Sequence, residues 1–471
     1  MQDALLQYFR CAGPSTAFRL AGPLSPDAGF FNFGQGVVGY ARTSKGAGSS
    51  NPGKNLCDLL PEVRVQAREI SLPFDPDEAV GNFRFERYLH VSPEPRGSLR
   101  RAVRSAYYMA RPALPVFVRK HLQKAHLNGW RKLAFPAWPV DSTVDALLEK
   151  QLALALAAVG GEGIPFIWFW PEGASACAVM THDVETQSGL DLTPLVLDLN
   201  AGFGIPASFQ LVPEERYKVT DAYLASLRER GQEVNIQGLN HDGHLFHDKE
   251  SFREKAARIN HYAREYGAAG FRSPVLYRNQ DWFEFLDFQY DSSVPNVGHL
   301  DPQRGGCCTV MPYFVGNMVE LPVTMTQDYS LFHILNDYSL DLWTQQIERV
   351  MEKHGLINAI VHPDYLCGTR EQELYRGLLH IFARLRDEQK VWIALPGEVN
   401  SWWRQRSQMK LVRRDGGWII DGQGSERARL AFATLDQGRL VYSLIRADGD
   451  VAPLAMPSTQ VATGERDFRG Y

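Results

Sequence analysis

Asp183 and Glu185 in THDVET, His241 in QGLNHDGH, Arg272 in GFRSP and His362 in AIVHPDY each stand where an apolar run gives way to polar residues. Together they are the groups that metal-assisted hydrolysis of an amide needs. One carboxylate takes a proton from water, imidazoles hold a cation and protonate a departing amine, and a fixed positive charge lies beside the base. Singly they say little, since a strand-end Asp is often a helix cap and a lone His is more often a hydrogen-bonded core residue than a ligand. Their ordered recurrence along the chain carries the reading. His244 and His247 follow His241 closely, and His182 precedes Asp183. In an extended THDVE segment, however, His182 points away from Asp183. Cysteine offers no competing chemistry: Cys11, Cys57, Cys177, Cys307, Cys308 and Cys367 are scattered without a CxxC pair, which reads as reduced thiols.

Side chains so far apart in sequence meet only if their elements bring them to one face. In a parallel α/β barrel that face is the one where the strands end. From about residue 175, short apolar runs alternate with amphipathic segments, the mark of βα units. Strands are predicted at 176–182, 205–211, 233–239, 268–273, 284–291, 318–323, 358–362 and 391–395, with helices at 221–230, 248–266, 341–353 and 371–386. The fold class expected is α/β, a distorted (β/α) barrel of about seven units over 171–406. Residues 1–170 form an N-terminal extension. Within it Asp141 or Ser142 caps a helix carrying Val144, Leu147, Leu148, Leu152 and Leu154 on one face. Residues 407–471, with KLVRR, WIID, ARLAFAT and RLVYSLI between Gly-containing turns, predict a small antiparallel β sheet.

These motifs resemble those of the polysaccharide deacetylase family, with its NodB homology domain, the fourth carbohydrate esterase family. The resemblance covers roughly half the chain. THDVE resembles the first family motif, which makes Asp183 the general base and Glu185 a metal ligand. FRSP resembles the third, so Arg272 orients the base, and AIVHP resembles the fifth, making His362 the general acid. YDSS at 290–293 resembles a weaker fourth motif and places Asp291 near the substrate. The second motif, two metal-binding histidines four residues apart, is where this chain departs: Gln237 stands in place of the first, and His241 matches the second. A neutral amide oxygen is a poorer ligand for zinc than imidazole. A rearranged site could recruit His244 instead. The resemblance implies removal of an acetyl group from an N-acetylated amino sugar of a glycan or its precursor, with a divalent metal such as zinc, and Tyr277 and Trp282 stacking on a sugar ring. Two alternatives stand beside it: a catalytically silent carbohydrate-binding barrel, and a related hydrolase of a non-sugar amide lacking the usual metal triad.

Bulk properties fit this reading without selecting it. The 471 residues suggest two to three domains, and a net charge of -4 with 44% hydrophobic residues excludes a disordered chain or a general nucleic-acid binder. The start, MQDALLQYFR, lacks the features of a secretory signal, so a cytoplasmic protein is expected. Between 96 and 132, ten Lys or Arg residues and no acidic one are interleaved with aromatics. A solvated helical face is the plain reading of that stretch. A peripheral contact with an anionic membrane surface is the functional one.

Overall fold

The computed structural model describes residues 3–12, 16–34, 36–53, 55–66, 68–91, 127, 129–160, 163–445 and 451–453. The basic stretch at 96–132, and with it the expected membrane contact, lies almost wholly outside the described residues. Among those described, no helix is long and apolar enough to cross a membrane.

Six parallel strands lie side by side in chain order: Cys177–Val184, Ala207–Leu211, Glu233–Gln237, Gly270–Arg272, Tyr290–Asp291 and Met318–Glu320. Leu356–Val361 returns to the free flank of Cys177–Val184, and Trp392–Ile393 pairs with the start of that strand. Tyr313–Val315 runs antiparallel on the outer edge of Met318–Glu320. Every position of Cys177–Val184 and of Leu356–Val361 is buried, as expected for parallel strands covered on both faces. No ladder joins Met318–Glu320 to Leu356–Val361. Instead Met325 N donates to Asn358 O (3.2 Å), Asn358 Nδ2 to Leu321 O (3.0 Å) and Thr324 Oγ1 to Leu356 O (2.7 Å). The sheet is thus an open, distorted barrel, its seam fastened by one backbone bond and by the Thr324 and Asn358 side chains.

The connecting helices form for local reasons. In Lys249–Glu265, Asp248 caps by accepting from Ser251 N (2.9 Å), and Phe252, Ala256, Ile259 and Ala263 share the buried face. Gln187–Phe203, the helix after the first barrel strand, escapes a pattern search because Gly189, Pro194 and Gly202 interrupt it. Its Thr186 cap, accepting from Gly189 N, starts it nonetheless. The 284–291 segment is the other difference: only Tyr290–Asp291 is strand, and Gln280–Phe285 coils into a short 3₁₀ turn opened by Asn279.

Alternation along the first barrel strand sorts its residues between two cores. Ala178 and Met180 pack with Val196, Phe252, Ile259, Leu378 and Phe382 of the outer helices. Cys177 and Val179 pack with Leu5, Phe9, Phe74, Leu148, Trp168 and Trp402, which belong to the segments flanking the barrel. The two flanks also meet each other. Ile164–Ile167 pairs antiparallel with Leu430–Asp436, so the pre-barrel strand joins Leu430–Asp436, Arg439–Ile445 and Val451–Pro453 in one four-stranded sheet, while Lys410–Arg414 and Gly417–Asp421 form a separate hairpin. Thr181 and Asp183 continue the inward row toward the end where the chemistry-bearing groups gather.

Candidate active site

Asp183 is the last inward residue of the first barrel strand, and Glu185 follows as the strand gives way to the helix at Gln187. Arg272 ends the fourth strand in register with Gln237, the end of the third. From Gln237 the chain turns through Gly238, at φ +60°, where a Cβ would lie 2.4 Å from Pro274 Cγ. It then reaches His241 with φ 53°. A non-glycine residue in that region is uncommon, and here the turn aims the imidazole back at Glu185.

Arg272 is fully buried. Its Nη1 lies 3.4 Å from Asp183 Oδ1, and its Nη2 donates to Thr181 Oγ1 and Ser292 Oγ, both at 3.1 Å. Gln237 Nε2 donates to Asp183 Oδ2 (3.0 Å) and Glu185 Oε1 (2.9 Å), bridging the two carboxylates. Glu185 Oε1 lies 2.8 Å from His241 Nε2 and 3.5 Å from His362 Nε2. His362 is held from behind: Asp328 accepts from its Nδ1 (2.6 Å) and its backbone N (2.7 Å). Five of the sequence-selected residues, Asp183, Glu185, His241, Arg272 and His362, therefore converge on one place, with Gln237 among them.

Burial and neighbours set their charges. Burial raises the Asp183 carboxyl above its ordinary range, and Arg272 and His362 offset only part of this. Glu185 feels the same burial, but His241 and then His362 outweigh it and hold the carboxylate well below the usual range. For His362, burial favours the neutral ring, yet Asp328 and Glu185 prevail and raise it well above an ordinary imidazole. The result is a carboxylate made more basic and an imidazolium made more persistent, the division of labour expected of a base and an acid.

Other sequence-selected residues lie elsewhere. His182 points outward as alternation requires, with Nδ1 3.0 Å from Val361 O and Nε2 3.0 Å from Asn200 Nδ2. His244 is not among the grouped ligand atoms and sits beside His247, their rings 6.1 Å apart. Trp282 packs on Phe246 and Phe252, and Tyr277 is buried. Asp291 is fully buried and accepts from Ser293 Oγ (2.6 Å) and Ser293 N (3.1 Å), so it turns into the protein rather than toward a substrate. Asp328, in TMTQDYS, is the residue bonded to His362 that the sequence motifs pass over. It lies beyond the last residue of its strand, among the polar neighbours Thr326, Gln327 and Ser330, which give it no distinguishing signal.

The donor set can be tested against a metal. Ligand atoms of Asp183, Glu185 and His362 lie within 4.8 Å of one another; His241 lies outside that group but has its Nε2 2.8 Å from Glu185 Oε1. Gln237 Oε1 is buried without a hydrogen bond, while Asp183 Oδ1 has Arg272 Nη1 at 3.4 Å. Buried carboxylate and imidazole donors gathered so closely suit a divalent cation bound by oxygen and nitrogen. Gln237 now presents its amide nitrogen inward, and its oxygen would join such a set only after the amide turns over.

No family model matches the chain, and no curated protein does. Among solved structures it is similar to a protein of Mycobacterium smegmatis assigned as a polysaccharide deacetylase, at 19% identity over 53% of this chain and 98% of that one, TM-score 0.40. It is similar to the peptidoglycan deacetylase PdaC of Bacillus subtilis, at 11% identity over 50% and 95%, TM-score 0.33. A third similarity, at 13% identity over 48% and 65% with TM-score 0.30, is to a Bacillus anthracis pseudoenzyme of the fourth carbohydrate esterase family. Over about half its length, this chain is similar to polysaccharide deacetylases and to a pseudoenzyme of their family.

Proposed function

We propose that the chain is a divergent polysaccharide deacetylase that hydrolyses the N-acetyl group of an amino sugar in a glycan or its precursor, with a divalent cation such as zinc. The observation that carries this is the opposed pairing within one buried cluster. Asp183 is clamped by Arg272 and His362 by Asp328, and both face the Glu185 and His241 pair. Glu185 and His241 would hold the cation, helped by the Gln237 carbonyl. When bound, it polarises the acetyl carbonyl and stabilises the charge that develops on its oxygen. Asp183 takes the proton of the attacking water while Arg272 fixes the carboxylate. His362 presents Nε2–H to the leaving nitrogen, because Asp328 occupies Nδ1. Water adds to the carbonyl carbon, the carbon–nitrogen bond breaks, the nitrogen receives the proton, and acetate and a free amine result. Incubating the full chain with N-acetylated oligosaccharides and added zinc should release acetate and equal amounts of amine. No acetate from any N-acetylated sugar overturns the reading.

A second reading, a silent carbohydrate-binding barrel, is favoured by one observation: the Gln237 amide already bridges both carboxylates, as a cation would. Metal content after dialysis separates the two. The deacetylase reading expects weak retention in the unmodified protein, more in Gln237→His and least in His241→Ala; no retention in any of the three favours the silent barrel.

A further inference from the structure

In the proposed reaction the general acid delivers its proton to the leaving nitrogen, and that nitrogen is carried by the sugar. The sugar ring must therefore lie on the His362 side of the scissile bond, with the acetyl group toward Glu185 and His241. The residues around His362 are those that the leaving sugar would meet.

Three half-buried aromatic rings gather there. Tyr365, three residues beyond His362, has its ring centroid 5.0 Å from the imidazole. Tyr329 directly follows Asp328, and its ring lies 5.6 Å from that of Tyr365. His333 completes a triangle, 5.2 Å from Tyr329 and edge-on to Tyr365 at 5.1 Å. A π-helical turn, Ser330–Leu335, begins right after Tyr329 and carries His333 into place. Such turns are rare and are frequent at functional sites. Asp364 lies between His362 and Tyr365. One of its oxygens accepts from Thr186 Oγ1 at 3.3 Å, and the other, Oδ1, is buried without a partner. Ring faces beside a carboxylate with an unused oxygen are the elements that hold a pyranose, whose C–H face stacks on an aromatic while its hydroxyls donate to the acid. The charge around it selects among sugars. A ring stacked there meets the Asp364 carboxyl, so a sugar that brings its own carboxylate or phosphate against that group is disfavoured by like charge, whereas a neutral ring donates its hydroxyls to it.

We propose that Tyr329, His333, Tyr365 and Asp364 form the subsite for the leaving sugar, and that this subsite takes a neutral N-acetylhexosamine ring. The assignment rests on the deacetylase reading for its orientation, but the subsite is tested by binding alone.

The test uses the full chain carrying Asp183→Asn, titrated with the methyl glycosides of N-acetylglucosamine, N-acetylgalactosamine and N-acetylmannosamine and followed by ligand-observed NMR. At least one glycoside should bind. Tyr329→Leu and Tyr365→Leu in that background should each weaken it by about fivefold to tenfold, whereas Tyr329→Phe and Tyr365→Phe, which keep the ring, should stay within about twofold of the parent. Asp364→Asn, which keeps shape and loses charge, should weaken binding by about fivefold and serves if a leucine variant does not fold. N-acetylmuramic acid, which adds a carboxylate, should bind more weakly than N-acetylglucosamine. Folded leucine or Asp364→Asn variants that bind like the parent overturn the subsite, as does a parent that binds none of the three glycosides. Acetate release by the unmutated protein is assayed in parallel. Ring-dependent binding without acetate release sinks the deacetylase reading and leaves the subsite standing.

Discussion

Asp183 and His362 share one buried cluster and differ in what stands behind them. Behind Asp183 is a guanidinium, and behind His362 a carboxylate. Asp183→Asn keeps the side chain's size but cannot accept the water proton, so acetate release should fall by at least about a thousandfold while the protein remains folded by circular dichroism. The rate should climb with pH as Asp183 loses its proton, above the ordinary aspartate range because burial raises it. It should decline as His362 loses its own, above the ordinary imidazole range because Asp328 and Glu185 outweigh burial. Asp328→Asn removes the stronger of those two supports. We expect activity to drop roughly tenfold to a hundredfold and the alkaline limb to move to lower pH. An unchanged alkaline limb in a pH–rate profile of Asp328→Asn would remove Asp328 from the mechanism.

At the scale of elements, the turn after Arg272 is stapled from outside the barrel. Glu86, just beyond the helix Pro76–Arg84, accepts from Arg278 Nε (2.7 Å) and Gly306 N (2.6 Å), and Gln280 Nε2 donates to Arg84 O (2.8 Å). Arg278 is buried at this contact, so Glu86→Gln strands a buried cation and should cost about 3–5 kcal/mol in urea unfolding. A cost under about 1 kcal/mol would mean that the pair is solvated and replaceable. A second buried contact makes stability depend on pH. His354, ahead of the strand Leu356–Val361, has Nδ1 3.0 Å from Ser175 O and its ring edge-on to Trp168. Burial lowers it to about 4, the Ser175 carbonyl only partly opposing. The folded state thus prefers the neutral ring, so its stabilisation is complete above the unfolded value near 6.5 and is lost as pH falls toward 4. His354→Phe should remove ~3 kcal/mol of that pH dependence between pH 7 and 4. The comparison of unfolding free energies at the two pH values checks it.

For the whole molecule, the shared core is the governing fact. Cys177, Val179, Val319, Leu321 and Leu356 of the barrel strands pack with Leu5, Phe9, Phe74, Leu148 and Trp168 from upstream and Ala431 from downstream. Excising 171–406 would leave that apolar face bare. Such a fragment should aggregate or lack fixed tertiary structure by near-ultraviolet circular dichroism, although the site residues are all within it. A soluble, well-dispersed fragment would show that the flanks are appendages.

Local pattern was enough to locate most of the barrel strands, four of their helices and the ends at which Asp183, Glu185, His241, Arg272 and His362 stand; at 284–291 it read as strand what is mostly a 3₁₀ turn and loop. A strand's period of two and a helix's period near 3.6 are written in neighbouring residues, and strand ends are where a parallel barrel exposes side chains. The same alternation turned His182 away from the site. Other features depended on contacts between distant segments. Asp328 reaches His362 across 34 residues, and nothing in TMTQDYS announces its partner. Tyr329, His333 and Tyr365 meet only because a π turn and a strand end come together, whereas Trp282 and Tyr277, equally plausible by type, were drawn into packing. The direction of the Gln237 amide was decided by two carboxylates on another strand. Periodicity tells which way a side chain faces; what it meets there is set by the packing of elements remote in sequence.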